Sequence, residues 1–169
     1  MKPIGLLLVA CSFLGLSAVR LLSIRREIAC LRGLLFGLRL IRSEISLRAS
    51  PLPDLMKLAA VGTDGAAKQF FERVEAGLSR LDERCFADLW RDACRREPAV
   101  LSSELRNVLF ELGLVLGRAE LGEQLAACDR TISKLQNGLD ERTRRYPEQR
   151  RLSLGLGAAG ACFICLLLI

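Results

Sequence analysis

Residues 121–139 read LGEQLAACDRTISKLQNGL. Leu121, Leu125, Cys128, Ile132, Leu135 and Leu139 recur there at alternating intervals of four and three. That spacing lays apolar side chains along one stripe of a helix. Sustained, it is the a/d seam of left-handed helix packing, so the stretch predicts a long helix with a partner along its length. Strand-like alternation is not sustained anywhere between the chain's two apolar ends.

A second seam lies near the other end. Ile24, Ile28, Leu31, Leu35 and Leu38 alternate four and three, and Ile45 follows a heptad later. Shorter amphipathic segments connect the two. In "SPLPDL", Ser50 is a capping residue and Pro51 a first-turn residue for a helix through Leu55, Leu58 and Ala59 that ends near Gly62. Asp64 caps a third helix with Ala67, Phe70, Phe71, Val74, Leu78 and Leu81 on one face. Phe86, Leu89, Trp90 and Ala93 form a fourth stripe, closed by the proline of "RREPAV". Ser102 or Ser103 opens a fifth helix with Leu105, Val108, Leu109, Leu112 and Leu116, and Gly117 is its stop. Burying one such side chain stabilises by roughly 1.5–3 kcal/mol, so helices this amphipathic do not stay solvated apart. The expected fold is all-α, with the two seams antiparallel and the shorter helices packed around them.

The position of the charge bounds the rest. The 169 residues are 51% hydrophobic, with a mean hydropathy of +0.28 and a net charge of +6. Four arginines and one glutamate fall in residues 20–32; five arginines and two glutamates fall in 141–151. The region between is close to neutral, and aromatic residues make up only 5%. A nucleic-acid surface would place its basic patch in the domain. Here the excess sits in two collars, each beside an apolar end, and no nucleic-acid partner is expected.

The last collar opens onto "RLSLGLGAAGACFICLLLI". Gly155, Gly157 and Gly160 there spell GxGxxG. A dinucleotide fingerprint needs a strand before it and an acidic ribose partner about 20 residues later. Only nine residues follow Gly160, and none is acidic. As a helix, the uncharged run 152–169 spans roughly 27 Å, close to the ~30 Å hydrocarbon core of a bilayer. Small residues four apart let membrane helices approach closely. The glycines are read as helix packing.

The other end mirrors it: Pro3 to Val19 is uncharged, and Arg20, Arg25 and Arg26 follow. With Arg150 and Arg151 before the second run, the positive-inside bias puts the chain between the collars in the cytoplasm. The expected domains are an N-terminal transmembrane helix over 1–20, a cytoplasmic bundle of about six helices over 21–150, and a C-terminal transmembrane helix over 151–169. Leu8-Val9-Ala10-Cys11 also matches a lipoprotein cleavage box, but the apolar run continues for eight residues beyond Cys11. A cleaved lipoprotein usually turns polar at that point.

Little chemistry is spelled. The chain has no histidine, which excludes Ser-His-Asp and Cys-His catalysis and imidazole metal sites. No GK[ST] loop is present for a nucleotide phosphate. The seven cysteines are scattered, which argues against a disulfide framework. Cys162-x-x-Cys165 lies deep in an apolar run, while Cys94 and Cys128 fall on apolar helix faces. Glu120 and Glu123 share a face with nothing nearby to desolvate them. Gly113 and Gly117 form GxxxG outside any apolar run, from close helix contact or a helix end. No enzyme, cofactor, metal or small-molecule substrate is expected.

The order of these features resembles a known family. An N-terminal anchor with an arginine-rich exit is followed by "SPLPDL", "FFERV", a lone Trp90, "ELGLVLGRAELGEQL", a long amphipathic helix and "LGLGAAG" before a terminal anchor. Together they resemble the stage III sporulation protein AB family. Leu116, Gly117 and Gln124 stand at family-like positions within "LGLVLGRAELGEQ", supported by the C-terminal glycines. The resemblance implies a cytoplasmic domain similar to that of type II secretion inner-membrane platform proteins. It also implies a non-enzymatic role in the mother cell-to-forespore channel, in the mother-cell membrane around the forespore, required for endospore development. The implied partners are a secretion-type sporulation ATPase, other channel membrane proteins and membrane lipid. Pro147 departs from the pattern, since it removes a helix donor just before the second anchor. The alternative reading is a membrane-anchored sensor that dimerises through the four-three seam.

Overall fold

The computed structural model describes the backbone of residues 2–48, 51–80, 85–97 and 100–166, and the side chains of 19, 21–47, 51–80, 85–97 and 100–147. Helices α1 (Lys2–Arg48), α2 (Leu52–Val61), α3 (Gly65–Ser79), α4 (Phe86–Arg96), α5 (Ser103–Val115) and α6 (Leu121–Leu166) follow in order. No strand occurs among the described residues. Two compact units result: one of residues 27–140, the other from the chain up to residue 26 and from 141 onward. The described backbone of each apolar run, residues 3–19 and 152–166, is continuous with its neighbouring seam, as α1 and as α6. The backbone of α6 stays helical on both sides of Pro147, which withholds its amide from the Thr143 carbonyl.

Among the described residues, no helix is long and apolar enough to cross a membrane. Apart from Val19, the side chains of the apolar runs lie outside the described residues, and so does the expectation that both runs cross.

Within the 27–140 unit, α1 buries more than one seam. Ile28, Leu31, Leu35, Leu38 and Ile45 are buried as expected, and Cys30, Leu34 and Ile41 join them. The reason is the number of neighbours. A Cβ on Gly33 would sit 2.6 Å from Ala67 of α3, and one on Gly37 would strike the Phe71 ring. Phe36 leans over Gly62 at the end of α2. On a further face, Arg39 donates to Gln136 of α6 at 2.9 Å, and Arg42 holds Asp129 at 2.5 and 3.0 Å. Residue numbers rise on α1 as they fall on α6, so the two are antiparallel.

Helix α6 corrects the seam read from the sequence. Leu135 is fully buried, and Cys128 and Leu139 are buried, but Leu121 is 51% exposed and Ile132 only half-buried. Ala127 and Thr131 are buried instead. A single seam assumes one partner, whereas α6 has two. Asp129 and Gln136 meet α1, while Gly138 meets Leu105 and Lys134 reaches Glu111, both of α5. The buried strip is therefore wider than a seam and turned toward α5.

Packed in sequence, α2 meets α3, α3 meets α4 and α4 meets α5. Phe70, Phe71 and Trp90 are fully buried, and Phe70 meets the other two edge-on at centroid distances of 5.2 and 4.9 Å. Such pairs stabilise by roughly 0.5–1.5 kcal/mol each beyond their buried area.

The starts of α3 and α5 fall where expected, with a different chemistry. Asp64 and Ser102 occupy the N-cap positions, yet neither side chain makes a capping hydrogen bond. Their carbonyls accept the first helical bonds, from the amides of Lys68 and Arg106. Pro51 is itself the N-cap of α2, and Pro53 is the first-turn proline. Ser50 lies outside the described residues.

Candidate functional site: turns, clefts and charged faces

The two glycines of the GxxxG at 113 and 117 have separate jobs. At Gly113, α5 passes so close to α4 that a Cβ would collide with the Trp90 ring. The Trp90 Nε1–H donates to the Leu109 carbonyl at 2.7 Å, which satisfies the one polar group on a fully buried ring. Gly117 instead ends α5 with φ +78°, the left-handed conformation that glycine adopts without a Cβ penalty.

That turn explains three residues at once. Leu116, at the helix end, is 1% exposed and anchors the turn in the core. Gln124, in the first turn of α6, reaches back with both ends of its amide. Its Nε2 donates to the Ala119 carbonyl at 2.7 Å, and its Oε1 accepts from the Gly117 amide at 3.4 Å. Leu116, Gly117 and Gln124 thus act as one device that closes the α5–α6 connection.

The arginine collars are only partly described. Arg25 and Arg26 are exposed, and in the terminal unit Arg25 donates to the Tyr146 hydroxyl at 2.5 Å and lies 5.8 Å from its ring centroid. The side chains of Arg20, Arg150 and Arg151 lie outside the described residues. Gly155, Gly157 and Gly160 are within the helical backbone of α6.

Burial pushes the Cys30 and Cys94 thiols up to about 12 and that of Cys128 up to about 11. They are thiols at neutral pH and pack as small apolar groups, as the helical spacing of Cys94 and Cys128 predicts. Among the described residues, no cluster could hold a metal ion. Glu120 and Glu123 are both exposed.

Two surface clefts of similar volume lie among the described residues. One, of about 490 Å³, mixes charges between α3 and α4: Glu72 and Asp92 face Arg73, Arg80 and Arg96. The other, of about 470 Å³, lies between α4 and α5 and is lined by Arg91, Arg95 and Arg106 with no carboxylate. Sequence reasoning missed this second cleft. The signal was weak: Arg91 and Arg95 stand one helical turn apart, but Arg106 joins them only through the packing of α5 on α4.

Comparison with known proteins agrees with this architecture. A family model described as stage III sporulation protein AB matches residues 2–169. A solved structure of a stage III sporulation protein AB superposes with a TM-score of 0.65 at 16% identity, covering 72% of this chain and 96% of that one. At that identity the likeness shows the fold. No curated protein matches the sequence.

Proposed function

The chain belongs to the stage III sporulation protein AB family, and from that premise we propose that it is a non-enzymatic membrane platform of the mother cell-to-forespore channel. Residues 3–19 and 152–169 anchor it in the mother-cell membrane around the forespore. The helical domain between them is cytoplasmic and docks a secretion-type ATPase, beside other membrane proteins of the channel. The observation that carries this reading is the reach of the family match, which takes in both apolar ends as well as the bundle. The bundle itself supports docking over turnover. Its built features (the Trp90–Gly113 contact and the Gln124 turn) hold helices together, while its clefts present charge to a partner.

Charged contacts of this kind set specificity more than affinity. They weaken as salt shortens the screening length from ~10 Å at ~0.1 M to ~3 Å at ~1 M. Pull-down of the ATPase by the full-length protein should therefore succeed at low salt and fade at high salt. A folded protein that captures no ATPase at any salt, and whose mass is that of a homodimer, would replace the platform with the dimeric sensor. Topology is checked separately: a reporter active only outside the cytoplasm, fused after Ile169, should be active.

A further inference from the structure

We propose that the cleft between α4 and α5 is a receptor for a carboxylate-bearing, partly apolar segment of a partner protein. The proposal rests on the platform reading for the partner's class, and on the cleft alone for its chemistry. Arg91, Cys94 and Arg95 come from α4; Ser103, Arg106, Asn107 and Phe110 come from α5. Three arginines line one volume of about 470 Å³ with no carboxylate in its lining. Asp88 reaches Arg91 from outside that lining, at 3.8 Å. Neither Arg95 nor Arg106 pairs with a carboxylate among the described residues. The Arg106 Nε is buried and has no hydrogen-bond acceptor. A buried charged donor left unmade is costly, and native structures rarely keep one without a reason.

The backbone adds to the same field. Helix α5 starts at this cleft, and Ser102 offers its first amides no side-chain cap. The positive end of the helix dipole adds to the arginines' field, offset in part by Glu104 in the same first turn, which does not line the cleft. The charge such a cleft complements is an anion's, met first by the guanidinium ends; the covered Arg106 Nε is reached only when its side chain turns toward the ligand. The cleft's size and walls favour a protein segment over a lone oxyanion. Its volume exceeds the ~30 Å³ share of one water molecule many times over. The Phe110 ring, 4.9 Å below the Arg91 guanidinium, gives apolar surface for methylenes beside the carboxylate. The planar guanidinium fork matches a carboxylate in two hydrogen bonds.

The test uses the full chain in detergent micelles and a fluorescent hexapeptide of four glutamates and two leucines. Fluorescence anisotropy should show binding, and the same peptide with glutamine for glutamate should not bind. Arg95→Gln and Arg106→Gln should each weaken binding by about tenfold, while Lys57→Gln, at an exposed position of α2, should leave it unchanged. Arg95 is exposed, so its variant reads the site even if Arg106→Gln disturbs packing. The proposal is overturned if the peptide does not bind, if neither arginine variant weakens it, or if Lys57→Gln weakens it equally. Displacement by an equimolar amount of inorganic phosphate would make this a small-anion site and overturn it too. So would a loss of phosphatidylglycerol vesicle binding in Arg95→Gln with peptide binding intact. Because the peptide arm needs no ATPase, a failed ATPase pull-down beside intact peptide binding would sink the platform reading alone.

Discussion

Trp90 and Gly113 are a matched pair: the indole lies so close on α5 that no side chain fits beneath it, and its N–H bonds the Leu109 carbonyl one turn away. In an α-helix, that carbonyl is also the acceptor for the Gly113 amide. One backbone oxygen therefore ties α4 to α5 and continues α5 at the same point.

Gly113→Ala pits two effects against each other. Replacing a mid-helix glycine gains about 1 kcal/mol of helix propensity. Overpacking a rigid core site loses roughly 1–3 kcal/mol, and this ring cannot yield easily, being held by Leu109 on one side and Phe70 on the other. Set against the gain in propensity, the clash with the ring leaves a net loss of up to about 2 kcal/mol. Denaturant unfolding of residues 26–145, which should fold without the apolar ends as a mostly helical domain, measures it. A stabilised variant would mean that the helices are less close than they stand.

Gln124→Ala removes both hydrogen bonds of the α5–α6 turn and should lower stability by about 1–2 kcal/mol. Gln124→Glu keeps the acceptor toward Gly117 but loses the donor toward Ala119, and sets a carboxylate against a carbonyl. It should be no better than alanine. Equal stability of glutamate and glutamine at neutral pH would show that the Ala119 bond contributes nothing.

Leu135→Asp and Leu121→Asp separate the observed core from the seam of the sequence. Leu135 is fully buried, and an unpaired buried carboxylate costs several kcal/mol, on the order of the ~5–15 kcal/mol stability of a domain. That variant should lose its cooperative melt. Leu121 is 51% exposed, so its variant should melt like the parent. Similar damage from both would restore the single seam.

The Arg42–Asp129 pair sets a pH dependence. Hydrogen bonds from Arg42 hold the Asp129 carboxyl below the usual carboxylate range. A depressed folded-state value contributes stability above the unfolded value of about 3.9, and that contribution is lost as pH falls through the folded one. The parent should therefore melt slightly above Asp129→Asn at neutral pH, with the gap closing on acidification. Because both side chains are about half exposed, the gap is small and shrinks with salt. A gap that persists at the acid end would assign it to packing.

The helices, their order and most of their ends were legible, because apolar spacing and breakers are local properties. Gly62, Asp64, Ser102 and Gly117 mark ends in the structure as they do in the sequence. Cap chemistry was not legible: residue type predicts a side-chain hydrogen bond at Asp64 and Ser102, but the side-chain rotamer decides whether it forms. The Gln124 turn was visible only as a resemblance, since its partners are the backbones of Ala119 and Gly117.

By itself, the sequence determined an all-helical chain with two apolar ends, arginine collars and no histidine. Each of these needs only residue type and spacing along one helix. Tertiary structure alone decided which side of each helix is core. A helix with one neighbour buries a seam, whereas α6 lies between α1 and α5 and buries a wider strip that takes in Thr131 and leaves Leu121 in solvent. Tertiary structure also brought Arg106 beside Arg91 and Arg95, because a cleft between two helices belongs to their packing and to neither helix alone.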